Sequence, residues 1–444
     1  INLTVTTSLS GALNLQAGNL NLLSSFPTSG AFNFTGGTLT NSGGGLYIGT
    51  ANFSGNIALA ATNTNSIAFG NTALTGNTTL NVSGLQSGGN VYFYSPITGT
   101  GDSLTLTNGG SLGPNATITM YGANTFTGGL TVNIAGSTLF ATSAQFAGTG
   151  TLTLEGGTLA SGSWPTITNN VVLNSGSNGF TISGGSTYTF TGTTWTLGAA
   201  AQTLSVNTGN TVIINNTMSG GGGGLTINGG GALTIAGASA NTFTGGLSIT
   251  NATVTLQKAA GTNAIGGGTI TINTGGTLLL ANSNQIPNAS NMVLHGGTFN
   301  TGGNSETLGT LTLTANSTID MGSGSSIINY ANSSGTAWTA GQALTIQNWT
   351  GSLTGGGTDQ LFFGTASSGL TAGQLSQIFF LNPTGLAAGT YGATILGTGE
   401  LVPSTFVAPE ASTYAFGCAL GIVTIAWEIR RRRERYNPKA ETPA

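Results

Sequence analysis

Apolar and polar residues alternate in short runs along most of this chain. In "TLTLEGGTL" at Thr151–Leu159, Leu152 and Leu154 fall on one parity and Thr151 and Thr153 on the other. "GGGTITINTGGTLLL" at Gly266–Leu280 repeats the pattern with Ile270 and Ile272. A period of two gives a strand one apolar face and one polar face. β-Branched Thr suits the exposed face. Gly-Gly and Asn-Gly steps between the runs permit the positive φ values of tight turns. Runs of about four to six residues, with a turn every 8–12, predict an all-β sandwich, barrel or solenoid.

Repetition decides among these. "ANTFTGGL" occurs at Ala123–Leu130 and again, unchanged, at Ala240–Leu247. Each copy leads into an alternating strand, a glycine step and a second strand. Looser relatives begin at Phe34, Gly229 and Leu294. Such repetition over most of the chain favours a solenoid, because one sandwich does not grow that long. The expected fold is a right-handed parallel β-helix over residues 1–319, with roughly 12–16 coils stacked about 4.8 Å apart. Leu152, Leu154, Ile270 and Ile272 should point inward. Phe126 and Phe243 should occupy equivalent corners.

From Asp320 the texture changes, with more aromatics and fewer Gly-Gly steps. Residues 320–402 are expected to form a C-terminal β cap, since a solenoid needs its open end covered. Within it "LTAGQLSQI" suits one short helical turn, and "TYGATI" with "GELVP" suits a closing hairpin. Residues 403–408 read as a linker, 409–435 as a sorting segment containing a single hydrophobic helix, and 436–444 as a polar tail.

Composition narrows the function. Charged residues make up 4% of the 444, against about 25% in ordinary globular proteins. Before Pro409 the only basic residue is Lys258, and the acids are Asp102, Glu155, Glu306, Asp320, Asp359 and Glu400. Binding to nucleic acid through phosphate neutralisation is therefore not expected. The single cysteine, Cys418, excludes an intrachain disulfide framework and a Cys-based zinc site. The chain opens at Ile1 without a basic start leading into an apolar segment. With a tail that argues for export, the expectation is a signal peptide already removed, or a fragment.

That tail is where the positive charge collects. Ser412–Trp427 carries no charge, and Arg430, Arg431, Arg432 and Arg433 follow Glu428 and Ile429. A helix of that length spans roughly 24 Å, slightly less than the ~30 Å hydrocarbon core. Basic residues beside an apolar helix stay in the cytoplasm, which would leave the body outside. An amphipathic or core helix ending in a solvated charge run is the blander alternative. Pro409-Glu410-Ala411-Ser412-Thr413, an apolar helix and an arginine cluster together resemble the PEP-CTERM sorting signal of Gram-negative bacteria. Ala411 stands where that family usually has a second proline. The resemblance implies recognition by an exosortase-type membrane protease, a transient inner-membrane anchor, and final placement on the cell surface or in the extracellular matrix. "GANTFTGGLTV" followed by "TLTLEGGTL" resembles the autotransporter-associated β-strand repeat, which implies a structural or adhesive role without a chemistry.

Candidate chemistry is sparse. His295 is the only histidine, in "VLHGGTF", and reads as a structural or surface residue. With no second His and no Cys partner it offers no transition-metal site. "GGSLG" at Gly109–Gly113 matches a nucleophile-elbow pattern formally, but lacks the strand–turn–helix context. Glycoside hydrolysis generally needs two carboxylates flanking one bond. The six acids are scattered, with Glu155 read in a strand and Glu306 in a turn, each as a solvated residue. Trp164, Trp195, Trp338, Trp349, Tyr47, Tyr92, Tyr94 and Tyr188 are candidates for stacking on sugars, or for filling the core. Gly417 and Gly421 form a G-x-x-x-G pair suited to helix pairing.

The expectation is thus an exported, non-enzymatic structural or adhesive protein with no catalytic residues, metal or cofactor. Its partners would be the protease, the membrane, and extracellular polysaccharide or further copies of itself. Two alternatives stay open. A carbohydrate-binding adhesin would need a ridge of exposed aromatics, and a polysaccharide-acting β-helix enzyme would need two acids converging in a groove. A passenger fragment of an autotransporter is disfavoured because no amphipathic β-barrel follows.

Overall fold

Thr187–Phe190 pairs in parallel with Thr211–Ile214, and that strand with Ala232–Ile235. The ladder continues through Thr253–Leu256, Thr277–Leu280, Thr298–Asn300, Ser317–Asp320, Leu344–Gln347 and Ile378–Leu381. Every step is parallel and joins one turn of the chain to the next. The computed structural model describes residues 2–3, 11–23, 30–109, 115–163 and 165–407. Over these it is all-β, about 2% helical, and wound as a parallel β-solenoid of about 14 turns. At about 4.8 Å per turn this stack is roughly 65 Å long. One sheet holds 22 strands and a second holds 15.

The alternation of the sequence becomes columns running along the stack. On the second sheet Tyr188, Val212, Leu233, Val254, Leu278, Phe299, Ile319, Ile346 and Phe380 lie in register and are buried. Beside them Thr211, Thr253, Thr277, Thr298, Thr318 and Thr345 face outward, half-buried by their neighbours. On the first sheet Leu104, Leu130, Leu152, Val171, Trp195 and Met218 form an equivalent buried column. Leu152, Leu154, Ile270 and Ile272 are fully buried, as the alternation requires. Each such side chain contributes about 1.5–3 kcal/mol by leaving water. The core is one continuous cluster along the stack.

The two "ANTFTGGL" segments occupy equivalent corners. Asn124 accepts a hydrogen bond from the Ile97 N–H at 2.8 Å and donates to the Phe146 carbonyl. Asn241 accepts from the Met218 N–H at 2.8 Å and donates to the Ala264 carbonyl at 2.7 Å. Phe126 and Phe243 are both fully buried. The last glycine of each segment has a positive φ, Gly129 at 98° and Gly246 at 87°. A Cβ on Gly129 would come within 2.6 Å of the Thr151 carbonyl oxygen, and one on Gly246 would collide with that of Thr269. Buried side chains elsewhere serve corners in the same way. The Asn210 amide oxygen accepts from Ser186 N–H, and the hydroxyls of Ser317 and Ser333 accept from Gly296 and Leu311 N–H.

The parallel ladder crosses the boundary expected at Asp320 and runs on to Ile378–Leu381. The short helical turn is present as Ala372–Leu375. Its capping box has the Gln374 N–H donating to Thr371 Oγ1 and the Thr371 N–H donating back to Gln374 Oε1. Only after this does the direction change. Thr390–Ile395 runs antiparallel to both Ile378–Leu381 and Glu400–Val407, so "TYGATI" and "GELVP" do form a hairpin.

Candidate functional site

Four tyrosines meet on the outside of the early coils. Tyr47 lies between buried Leu46 and Ile48, and Tyr92 between buried Val91 and Phe93, so strand parity turns both outward. Tyr94 and Tyr121 each follow an inward residue, Phe93 and Met120, which are register partners on successive coils. Tyr47 and Tyr92 share a column, separated by Ala68. The ring centroids of Tyr94 and Tyr121 are 5.4 Å apart, those of Tyr92 and Tyr94 5.7 Å, and those of Tyr92 and Tyr121 6.4 Å. The planes of these three differ by 8–29°. Tyr47 reaches Tyr94 at 6.4 Å. Tyr47, Tyr94 and Tyr121 remain 44%, 51% and 46% exposed.

Small residues make room for this surface. A Cβ on Gly70 would lie 2.6 Å from the Tyr47 hydroxyl oxygen. Beside the rings runs a groove of about 300 Å³. Asn52, Ala73 and Thr98, register partners on three successive coils, line it together with Thr50, Asn71 and Pro96. The groove therefore crosses coils, along the stack. Its polar groups are neutral amides and hydroxyls. No Asp, Glu, Lys, Arg or His precedes Asp102. The Tyr92 hydroxyl is held above its ordinary pKa, first by burial and then by the neighbouring Tyr121 and Tyr94 hydroxyls. The Tyr92 hydroxyl is thus a neutral donor and acceptor at neutral pH.

Parity sorts the remaining aromatic candidates the other way. Trp195, Trp349 and Tyr188 are buried, so they fill the core and offer sugars no face. Trp195 packs edge-on against Phe190 at 4.7 Å, and the Tyr188 hydroxyl donates to the Ser183 carbonyl. Trp338 is half-buried, with its indole N–H donating to the Leu311 carbonyl, and borders a second groove of about 420 Å³ near Gln374 and Gln377. Trp164 lies outside the described residues, as do 110–113 of the "GGSLG" stretch. Tyr121 is not among the aromatics that the sequence pattern singles out, although it directly follows the inward Met120 of "TITM".

Five of the six carboxylates before Pro409 are each held by a separate set of donors. Glu155 accepts from Asn133, Asp320 from Asn300, Asn348 and the Gly322 N–H, and Glu400 from the Gly356 N–H. Asp359 accepts from the Ser326 N–H and from both the N–H and hydroxyl of Thr350. Glu306 is the clearest departure from expectation. It lies in the strand Glu306–Leu308, not a turn, and is 1% exposed. It accepts from Gln285, Ile286 and Thr307 N–H groups. Burial nonetheless pushes its carboxyl up to about 7, against the opposing effect of these three bonds. Asp359 and Glu400 are also buried rather than solvated. Lys258 is buried, with Nζ donating to the Ala236 carbonyl at 2.7 Å. His295 is exposed at the end of Met292–His295 and hydrogen-bonded through Nδ1 to the Thr314 hydroxyl at 2.9 Å. Among the described residues no group of three or more His, Cys, Asp or Glu is placed to hold a metal ion.

The sorting motif Pro409–Thr413, the apolar stretch Ser412–Trp427 and Arg430–Arg433 lie outside the described residues. Among those described, no helix is long and apolar enough to cross a membrane. Comparisons of the chain with protein-family models, curated proteins and solved structures gave no match.

Proposed function

We propose that this chain is an exported, non-enzymatic structural or adhesive protein of the cell surface or extracellular matrix. The observation that carries this reading is the outer face of the solenoid, where columns of Thr, with Ser and Asn, extend over many coils and carry almost no charge. Such a surface suits many weak neutral contacts, and low net charge gives little repulsion between copies. The bonding of the carboxylates supports the same reading. Five of the six are tied into the scaffold through donors of their own, whereas glycosidic cleavage asks for two that face one substrate bond. In this reading the hairpin of Thr390–Ile395 and Glu400–Val407 caps the solenoid, which is right-handed. The segment from Pro409 inserts as a membrane helix, with Arg430–Arg433 on the cytoplasmic side, and is handed to an exosortase-type protease.

The test uses the full chain in a Gram-negative host that carries such a protease. Surface labelling of intact cells should detect the protein, and replacing Arg430–Arg433 with Asn should reduce that signal. Unchanged display in the variant would reject the sorting part. Release of reducing ends from neutral or acidic polysaccharides by the purified protein would reject the non-enzymatic part.

A further inference from the structure

We infer that the tyrosine surface and its adjoining groove form a binding site for a neutral polysaccharide chain lying along the solenoid axis. The inference rests on the adhesive reading and gives it a ligand class.

Three features of the site select that class. The first is the aromatic platform. Tyr92, Tyr94 and Tyr121 place near-parallel rings 5.4–6.4 Å apart across two coils, and Tyr47 extends the surface toward earlier coils. A sugar ring has an apolar face of C–H bonds that packs on an aromatic ring while its hydroxyls stay at the rim, so partly exposed tyrosines suit it. The second is the polar lining. Asn71 and Thr98 are exposed beside half-buried Thr50 and Asn52, and all four border the groove. Amides and hydroxyls both donate and accept, which matches sugar hydroxyls. The third is electrostatic. The residues that line the groove, and the four tyrosines, include no Asp, Glu, Lys, Arg or His, so the lining itself offers no charge to pair with phosphate, sulfate or uronate. The groove also spans three coils, at about 4.8 Å per step, a spacing comparable to the length of one pyranose unit. A polymer can therefore meet successive coils with successive sugars.

A tyrosine surface beside a groove also suits a proline-rich peptide, and an exposed aromatic surface suits a second copy of the chain. The amide and hydroxyl wall favours the glycan, because a proline-rich backbone has few donors with which to use it.

The experiment is isothermal titration of the purified full chain, held in a non-glycosidic detergent. The probes are cellohexaose, xylohexaose and mannohexaose, with oligogalacturonate and a proline-rich decapeptide as controls. At least one neutral hexasaccharide should bind saturably, with an affinity insensitive to salt. Tyr94→Ala and Tyr121→Ala should each weaken it on the order of tenfold. Tyr94→Phe, which keeps the ring, should retain most of the affinity. Circular dichroism and the melting temperature show whether each variant still folds, and the phenylalanine variant keeps the test valid if an alanine variant does not. Binding by none of the neutral oligosaccharides overturns the inference. So does equal affinity in folded alanine variants, a preference for the decapeptide or the oligogalacturonate, or a tyrosine-dependent self-association without sugar binding. Chromatography of the sugars after titration separates the two readings. Absent binding with intact sugars defeats the site alone, whereas cleaved sugars defeat the non-enzymatic function.

Discussion

Replacing Glu306 with Gln should remove a pH dependence that the solenoid carries in its core. The carboxyl is 1% exposed, so solvent screens it little. Burial raises its pKa from 4.5 to about 7. The N–H groups of Gln285 at 2.6 Å, Thr307 at 3.1 Å and Ile286 at 3.2 Å pull the other way without winning. Tyr330 belongs to the same environment. Its strand pairs with that of Glu306, and its hydroxyl is held far above the usual range by burial and then by the Glu306 charge. A raised folded-state pKa means the folded state holds the proton more tightly than the unfolded chain. Stability from this group is therefore full below about pH 4.5 and is lost as pH rises through about 7. At 1.36 kcal/mol per pKa unit the loss is about 3 kcal/mol. Other carboxylates contribute slopes of their own, so the observable is the wild-type curve minus that of Glu306→Gln. Urea midpoints followed by far-UV circular dichroism from pH 4.5 to 8 give both. The wild type should lose about 3 kcal/mol relative to the variant over that range. A flat difference, or a wild type that gains on the variant as pH rises, would refute the burial argument.

Three further outcomes follow from the corners and the core. Asn241→Ala should destabilise by about 2–6 kcal/mol, since it strands the buried Met218 N–H and Ala264 carbonyl together; Asn124→Ala should behave alike, and a thermal melt indifferent to both would deny the corner role. Gly246→Ala should cost more than about 1 kcal/mol, from positive φ and from the Thr269 carbonyl in the path of the new Cβ, whereas Gly261→Ala, where a Cβ meets nothing within 4 Å, should show the φ penalty alone. Lys258→Met should be neutral or stabilising at pH 7, because it removes a buried cation whose pKa burial lowers; a loss above about 2 kcal/mol would show that the Ala236 contact outweighs the cost of burying the charge.

The strands were legible because the pattern that forms them is local. Period two placed Leu152, Leu154, Ile270 and Ile272 inward, and the repeated "ANTFTGGL" placed Asn124 and Asn241 at matching corners. The same parity, applied to aromatics, separates the core from the surface. Trp195 in "TWTL" shares the parity of buried Leu197, and Tyr188 in "TYTF" that of buried Phe190. Tyr47 in "LYI" and Tyr92 in "VYF" have the opposite parity. What parity does not supply is the register between coils, which depends on how many residues each corner takes up. Tyr94 and Tyr121 meet because Phe93 pairs with Met120, a consequence of loop lengths rather than of any local signal. Glu306 escaped for a related reason. Its partners, Gln285 and Ile286, belong to the previous coil, so nothing near it in sequence announced that it would be buried.

The shortage of charge has a structural cause that precedes any function. Stacking coils about 4.8 Å apart puts the same position of each coil in one column, so a repeated charge would face copies of itself. Neutral amides and hydroxyls avoid this, and they also satisfy the corner backbone, as Asn124, Asn210, Asn241, Ser317 and Ser333 do. A Thr- and Asn-rich exterior therefore suits the stacking as well as it suits many weak neutral contacts, and by itself it singles out no ligand. The tyrosines are different. Thr satisfies the outward columns elsewhere, whereas Tyr47, Tyr94 and Tyr121 leave about half of each side chain in water, and the Tyr47 hydroxyl lies over Gly70, where a Cβ would come within 2.6 Å of it. Ring stacking of about 0.5–1.5 kcal/mol per pair offsets some of that exposure, but burying the rings would stabilise the fold more. An arrangement that packing does not require, and that small neighbours accommodate, is the part of this surface where selection for binding has the most to explain.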